Sequence, residues 1–183
     1  FVRIQNISQQ NEKYAKVGDK IWVYVTIPNS ELASEPKITI NGKEARVFVN
    51  EDNKQYDYKK YVGEIVMTDD MEEGQIQFTV YGYKDLAGNV GKTWKTETTD
   101  GSSLILDKTA PGFVSDPWKI YVEANKDTEF PKELYPQVSG SDNFSGEVTP
   151  ELVNVYVDMG RPSTSDTEYK LQYVTRDEAG NEA

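Results

Sequence analysis

The residues with chemical potential in this chain are oxygen donors. Asp85-Leu86-Ala87-Gly88-Asn89 is matched 92 residues later by Asp177-Glu178-Ala179-Gly180-Asn181, and a tyrosine stands four positions before each, Tyr81 and Tyr173. The shared pattern Tyr-x-x-x-Asp-x-Ala-Gly-Asn has two readings. As a turn, Asp bonds the backbone downstream while Gly and Asn accept positive φ, and this explanation is sufficient by itself. As a cation site, carboxylates, Asn and backbone carbonyls supply part of the six to eight oxygens that calcium takes, although no Asp-x-Asp-x-Asp-Gly loop is present. The run Asp69-Asp70-Met71-Glu72-Glu73-Gly74 and the group Glu51, Asp52, Asn53 and Asp57 read as solvated turns. Glycoside hydrolysis needs two carboxylates facing each other ~5 to 9.5 Å apart across a cleft, and no spacing here selects such a pair.

The 183 residues include no histidine and no cysteine. That removes His-based triads, thiolate nucleophiles, zinc sites of the nitrogen and sulfur type and haem on a His or Cys ligand. An excess of 31 acidic over 20 basic side chains gives a formal net charge of -11, which opposes phosphate backbones and anionic lipid. Neither nucleic acid nor membrane insertion is therefore expected, and the apolar runs stay far below the ~18 to 20 residues of a bilayer span. The chain opens at Phe1 without signal-peptide features and reads as part of something longer. Lack of Cys suits an exported bacterial protein that folds without disulfides, and equally a cytosolic one.

Val, Ile and Thr dominate the aliphatic positions and 12 Tyr accompany 3 Trp, a composition of pleated, half-buried surfaces. Ile21, Val23 and Val25 alternate with Trp22, Tyr24 and Thr26, and Ile76, Phe78 and Val80 with Gln77, Thr79 and Tyr81. Strands are predicted near 1–7, 20–27, 36–41, 44–50, 58–67, 75–83 and 91–106, the last interrupted at Asp100-Gly101. A second set is predicted near 118–123, 134–139, 148–157 and 168–176, with a polar loop over 139–146. Asn41-Gly42 between two apolar-alternating runs predicts a type I′ hairpin, which needs positive φ at both central positions. The charged run ending in Pro111-Gly112 reads as a linker, and the domains are set at 1–107 and 108–183. Trp22, Trp94 and Trp118 with Tyr24, Tyr56, Tyr58, Tyr61, Tyr81 and Tyr83 either stack on sugar rings or fill a β core and pair across strands. Because Trp22 and Tyr24 oppose Ile21, Val23 and Val25 in phase, one of the two sets must face outward.

Tyr14-Ala15-Lys16-Val17-Gly18-Asp19-Lys20-Ile21, Ser34-Glu35-Pro36-Lys37-Ile38-Thr39-Ile40-Asn41-Gly42 and the Asp-Leu-Ala-Gly-Asn turn resemble bacterial Ig-like repeats. Val138-Ser139-Gly140-Ser141-Asp142-Asn143, Ser145-Gly146 and Tyr169-Lys170-Leu171-Gln172-Tyr173 resemble the bacterial surface protein Ig-like module related to hyalin repeats. Two departures stand out: Thr167-Glu168 replaces the usual Gly before the last motif, and the chain stops at Ala183, where such a module adds a further strand. The resemblance implies an all-β chain of two tandem immunoglobulin-like sandwiches. It also implies a non-catalytic structural or adhesive spacer of a secreted or cell-surface bacterial protein, monomeric, with neighbouring domains, a glycan or a protein as partners. The alternative is a carbohydrate-binding accessory module of an extracellular enzyme. In an Ig-type sandwich, the loop after the second strand and the loop before the last strand lie at the end where the chain enters. Asp107, Asp142 and Asp177 are thus the expected calcium ligands, with Asn143 as a further donor; Glu31, Glu35 and Asp85 mark the equivalent end of the first domain.

Overall fold

The computed structural model describes residues 1–9, 11–28, 32–50, 58–114, 119–125, 129–164 and 168–183. Contacts divide the chain into two units, Phe1–Lys108 and Thr109–Ala183. The first holds β1 (Val2–Asn6), β2 (Tyr14–Ala15), β3 (Lys20–Pro28), β4 (Leu32–Ser34), β5 (Lys37–Ile40), β6 (Lys43–Glu44), β7 (Arg46–Val49), β8 (Tyr58–Val66), β9 (Gly74–Gln75), β10 (Phe78–Tyr81), β11 (Lys84–Asp85), β12 (Trp94–Lys95) and β13 (Ile105–Leu106).

Period-2 alternation decides which face each strand buries. Val2, Ile4 and Asn6 of β1 and Ile21, Val23, Val25 and Ile27 of β3 point inward, leaving Trp22 and Tyr24 on the outer face. One antiparallel sheet runs β1-β3-β8-β7 and a second runs β12-β10-β5-β6. They meet where β8 has no side chain: a Cβ on Gly63 would stand 2.7 Å from Ile38 Cγ2 of β5. The apolar core, including Ile21, Val23, Ile38, Ile40, Tyr61, Phe78 and Val80, is the sandwich-like layer so formed. Two short sheets, β11-β4 and β2-β13-β9, close the ends, with β2 and β13 parallel. The hairpin joining β5 to β6 has φ of 44° at Asn41 and 77° at Gly42, the pair of signs a type I′ turn demands.

The outer edge of β1 is covered by hydroxyls. Val2 N donates to Thr99 Oγ1 and Ile4 N to Ser102 Oγ, both at 3.0 Å, so an edge that would otherwise template another strand is occupied. Buried Asp19 is similarly absorbed: its Oδ2 accepts from Asn6 Nδ2 at 2.8 Å, from Lys16 N at 3.0 Å, and from Gln9.

The second unit holds β14 (Gly112–Phe113), a 3-10 turn (Lys132–Leu134), β15 (Gly140–Asp142), β16 (Gly146–Val148), β17 (Glu151–Tyr156) and β18 (Lys170–Val174), in sheets β14-β15-β16 and β17-β18. Residues 119–123 form no strand and have no partner strand among the described residues, and 115–118, with Trp118, lie outside them. The expected strand at 134–139 is replaced by the turn at Lys132–Leu134 and irregular chain, because Pro131 and Pro136 each remove a ladder donor. The supposed polar loop at 139–146 is instead a hairpin, β15 to β16, and the end of the supposed linker, Gly112, pairs with Ser141. The chain is all-β, and no described helix is long and apolar enough to cross a membrane.

Candidate functional site

The repeated motif folds into the same corner twice. In the first unit Asp85 N donates to Asn89 O (3.1 Å), Gly88 N to Asp85 O (3.0 Å), Asn89 N to Asp85 Oδ1 and Asn89 Nδ2 to Asp85 Oδ2 (both 2.8 Å). In the second, Asp177 N donates to Asn181 O (3.1 Å), Gly180 N to Asp177 O (3.2 Å), and Asn181 N and Nδ2 to Asp177 Oδ1 and Oδ2 (both 2.8 Å). A bridge closes each, Lys84 with Val90 and Arg176 with Glu182. Gly88 and Gly180 supply the left-handed φ, 89° and 88°. Asp85 is exposed, and its bonds from Asn89, the side-chain one first, hold its carboxyl below the usual range. The first corner is thus complete as a turn.

The second copy differs in its surroundings. Asp177 is 6% exposed and Ala179 is fully buried, and a carboxylate oxygen of Asp142 lies within 4.8 Å of one of Asp177. Asp142 ends β15 and folds its turn with Oδ1, which accepts from Phe144 N (2.8 Å) and Ser145 N (2.7 Å). Its Oδ2 is buried with no hydrogen-bond partner among the described residues. Ser145 Oγ then accepts from Glu178 N at 2.9 Å, stitching the β15-β16 turn to the corner. Two carboxylates ~5 Å apart repel by roughly 3 kcal/mol at an effective dielectric of 20, a cost that a shared cation reverses. Asn143 sits exposed in the same turn. Asn181 Nδ2 also lies 3.5 Å from the carbonyl oxygen of Thr109, the first residue of this unit.

Asp107, in the first unit, is fully buried, with its N–H donating to Ala15 O at 2.8 Å. Glu35 is exposed, and Glu31 lies outside the described residues, as do Glu51, Asp52, Asn53 and Asp57. The acidic run at 69–73 is knit into a turn: Lys43 Nζ reaches both oxygens of Asp70 at 2.6 Å, and Glu73 Oε1 accepts from Lys108 N at 2.6 Å. No family model, curated protein or solved structure matches this chain.

The aromatic residues resolve into packing and a cleft. Trp22 meets Tyr24 and Phe48 edge-on, both with ring centroids 5.6 Å apart, and its Nε1 donates to Glu64 at 2.7 Å. Arg46 covers the Phe48 ring and Lys92 the Trp94 ring, in each case two residues along the same chain segment, while Trp22 reaches Phe48 of β7 across β8, so the rings are engaged in packing and cation contacts of the sheets. Tyr61 is core. Tyr56 and Trp118 fall outside the described residues. The sequence reading missed a cleft of about 1000 Å³ in the second unit, lined among others by Phe113, Tyr121, Phe130, Tyr156, Tyr169 and Tyr173. Tyrosines at 121, 156, 169 and 173 were its signal, but their convergence depends on chain without regular structure.

Proposed function

We propose that this chain is a non-catalytic, structural or adhesive spacer of a larger secreted or cell-surface bacterial protein, built from two tandem Ig-like modules. The observation that carries the reading is the corner made twice with the same four hydrogen bonds, once in each unit. Modular repetition of a turn, rather than of a reactive group, is what a stalk requires. The acidic composition and the hydroxyl-capped edge of β1 suit a solvated segment that does not self-associate through that edge.

In the same proposal the second corner binds calcium through Asp142 and Asp177, with Asn143 and the linker carboxylate Asp107 as further donors. Asp142 Oδ2, buried beside Asp177 without a hydrogen-bond partner among the described residues, supports this. Asp107 precedes Thr109, whose carbonyl lies beside Asn181, by two residues. Such an ion would tie the linker to the second module.

A second reading, a carbohydrate-binding accessory module, draws on the tyrosine-lined cleft, where Tyr121 is 89% and Tyr156 57% exposed. A glycan array probed with the whole chain separates the two. The spacer reading expects no saturable binding, and a glycan retained by the wild type but lost by Tyr156→Ala would replace it with the second.

A further inference from the structure

We propose that Asn41-Gly42 is a self-modification site that the fold holds shut, so that its chemistry records how long the first unit has been open. It is the single Asn-Gly pair in the sequence. Asn41 is half-buried at the tip of the β5-β6 hairpin, and Gly42 is exposed, with nothing within 4 Å of where a Cβ would lie. Water therefore has access to Gly42.

The reaction needs only water. The Gly42 amide nitrogen attacks Asn41 Cγ, a C–N bond forms, the Cγ–Nδ2 bond breaks, and nitrogen leaves as ammonia with the proton that Gly42 gives up. The resulting five-membered imide adds water at either carbonyl, opening to aspartate or to isoaspartate. In the folded chain Asn41 cannot begin this attack without letting go of its neighbours. Its N–H donates to Gln77 O at 2.7 Å, its Oδ1 accepts from Gln77 N at 2.8 Å, and its Nδ2 donates to Glu72 O at 3.3 Å. The carboxamide completes a small ladder with Gln77, and swinging Cγ onto Gly42 breaks it.

Either product closes the turn less well than Asn41. Aspartate replaces the donor facing the Glu72 carbonyl with a charged acceptor. Isoaspartate adds a backbone atom that a two-residue turn has no room for. Modification is therefore one-way, from open to permanently weakened.

The test incubates the whole chain at mildly alkaline pH, folded in buffer and unfolded in urea, with circular dichroism confirming each state. Peptide mass spectrometry reads the gain of about 1 Da at residue 41. We expect conversion at Asn41 to be at least ~10-fold slower in the folded chain, the factor corresponding to about 1.4 kcal/mol of opening free energy. Asn41→Asp should melt lower than wild type. Equal rates in the two states, or an Asn41→Asp chain as stable as wild type, would overturn the proposal.

Discussion

Gly63 is where the two large sheets of the first unit touch, and adding one methyl there should be felt through the whole unit. A Cβ at residue 63 would lie 2.7 Å from Ile38 Cγ2 and 2.9 Å from both Ile38 Cβ and Cδ1. Apolar carbons rest ~3.5 to 4.0 Å apart, so the sheets must part by nearly 1 Å. A new Ile38 rotamer cannot relieve this, because Cβ is fixed by the backbone of β5 and Ile38 is 1% exposed. Overpacking of this kind costs ~1 to 3 kcal/mol, and the immovable Cβ argues for the upper part of that range. Hydrogen exchange at the amides of Val23 and Tyr61 reports on this unit alone; a loss of ~2 kcal/mol in Gly63→Ala accelerates their globally limited exchange about 30-fold. In an Ile38→Ala background two of the three clashing atoms are gone and Cβ alone remains at 2.9 Å, so the cost of Gly63→Ala should fall without vanishing. An unchanged exchange rate, or the same cost in both backgrounds, would refute the packing described for Gly63 and Ile38.

The phenol of Tyr61 is fully buried, and its hydroxyl has no hydrogen-bond partner among the described residues. Burial, followed by the charge of Glu35, pushes its pKa up. Since a buried unsatisfied hydroxyl costs ~1 to 3 kcal/mol, Tyr61→Phe should melt at or above wild type by calorimetry, with a gain of about 1 kcal/mol; a clear loss would show that the hydroxyl is bonded. Asp85 titrates below its ordinary value of 3.8 because Asn89 bonds its ionised form. Its folded pKa being the lower one, the support it lends the corner is complete above ~3.8 and vanishes as pH falls through the folded value. Carboxyl NMR should give a midpoint under 3.8 with the Asn89 amide released in step, and a midpoint at or above 3.8 would contradict those bonds.

Local signals were the legible ones. The alternation of β3 and the positive-φ pair at Asn41-Gly42 are written in adjacent residues, and the structure forms both. The pairings of β4 with β11 and of β2 with β13 involve two or three residues each, held by the surrounding core rather than by their own pattern, and they left no trace in the sequence. In the second unit few apolar side chains are buried, Val148 and Ala179 among the described residues. With so little core to enforce pairing, an alternating run such as 119–123 is not obliged to become a strand. The corner motif was visible as a repeat. The Ser145 hydroxyl that joins the two loops was not readable as a tie, since a serine before glycine in a turn is unremarkable. Neither was the need for Gly140, where a Cβ would come within 2.9 Å of Val148 Cγ2 and 3.1 Å of Thr175 Oγ1.

The two corners share their hydrogen bonds, and the proposal that calcium completes the second and not the first is open to direct test. Amide NMR of the whole chain during a calcium titration addresses it most directly, with magnesium and an Asp142→Asn chain as controls. Saturable shifts at residues 107–109, 141–145 and 176–181, with a Kd of ~0.1 to 1 mM, absent in Asp142→Asn and weaker with magnesium, are predicted, while residues 85–89 stay still. Equal shifts at both corners, or none at the second corner up to about 10 mM calcium, ten times the weakest affinity expected, would contradict it.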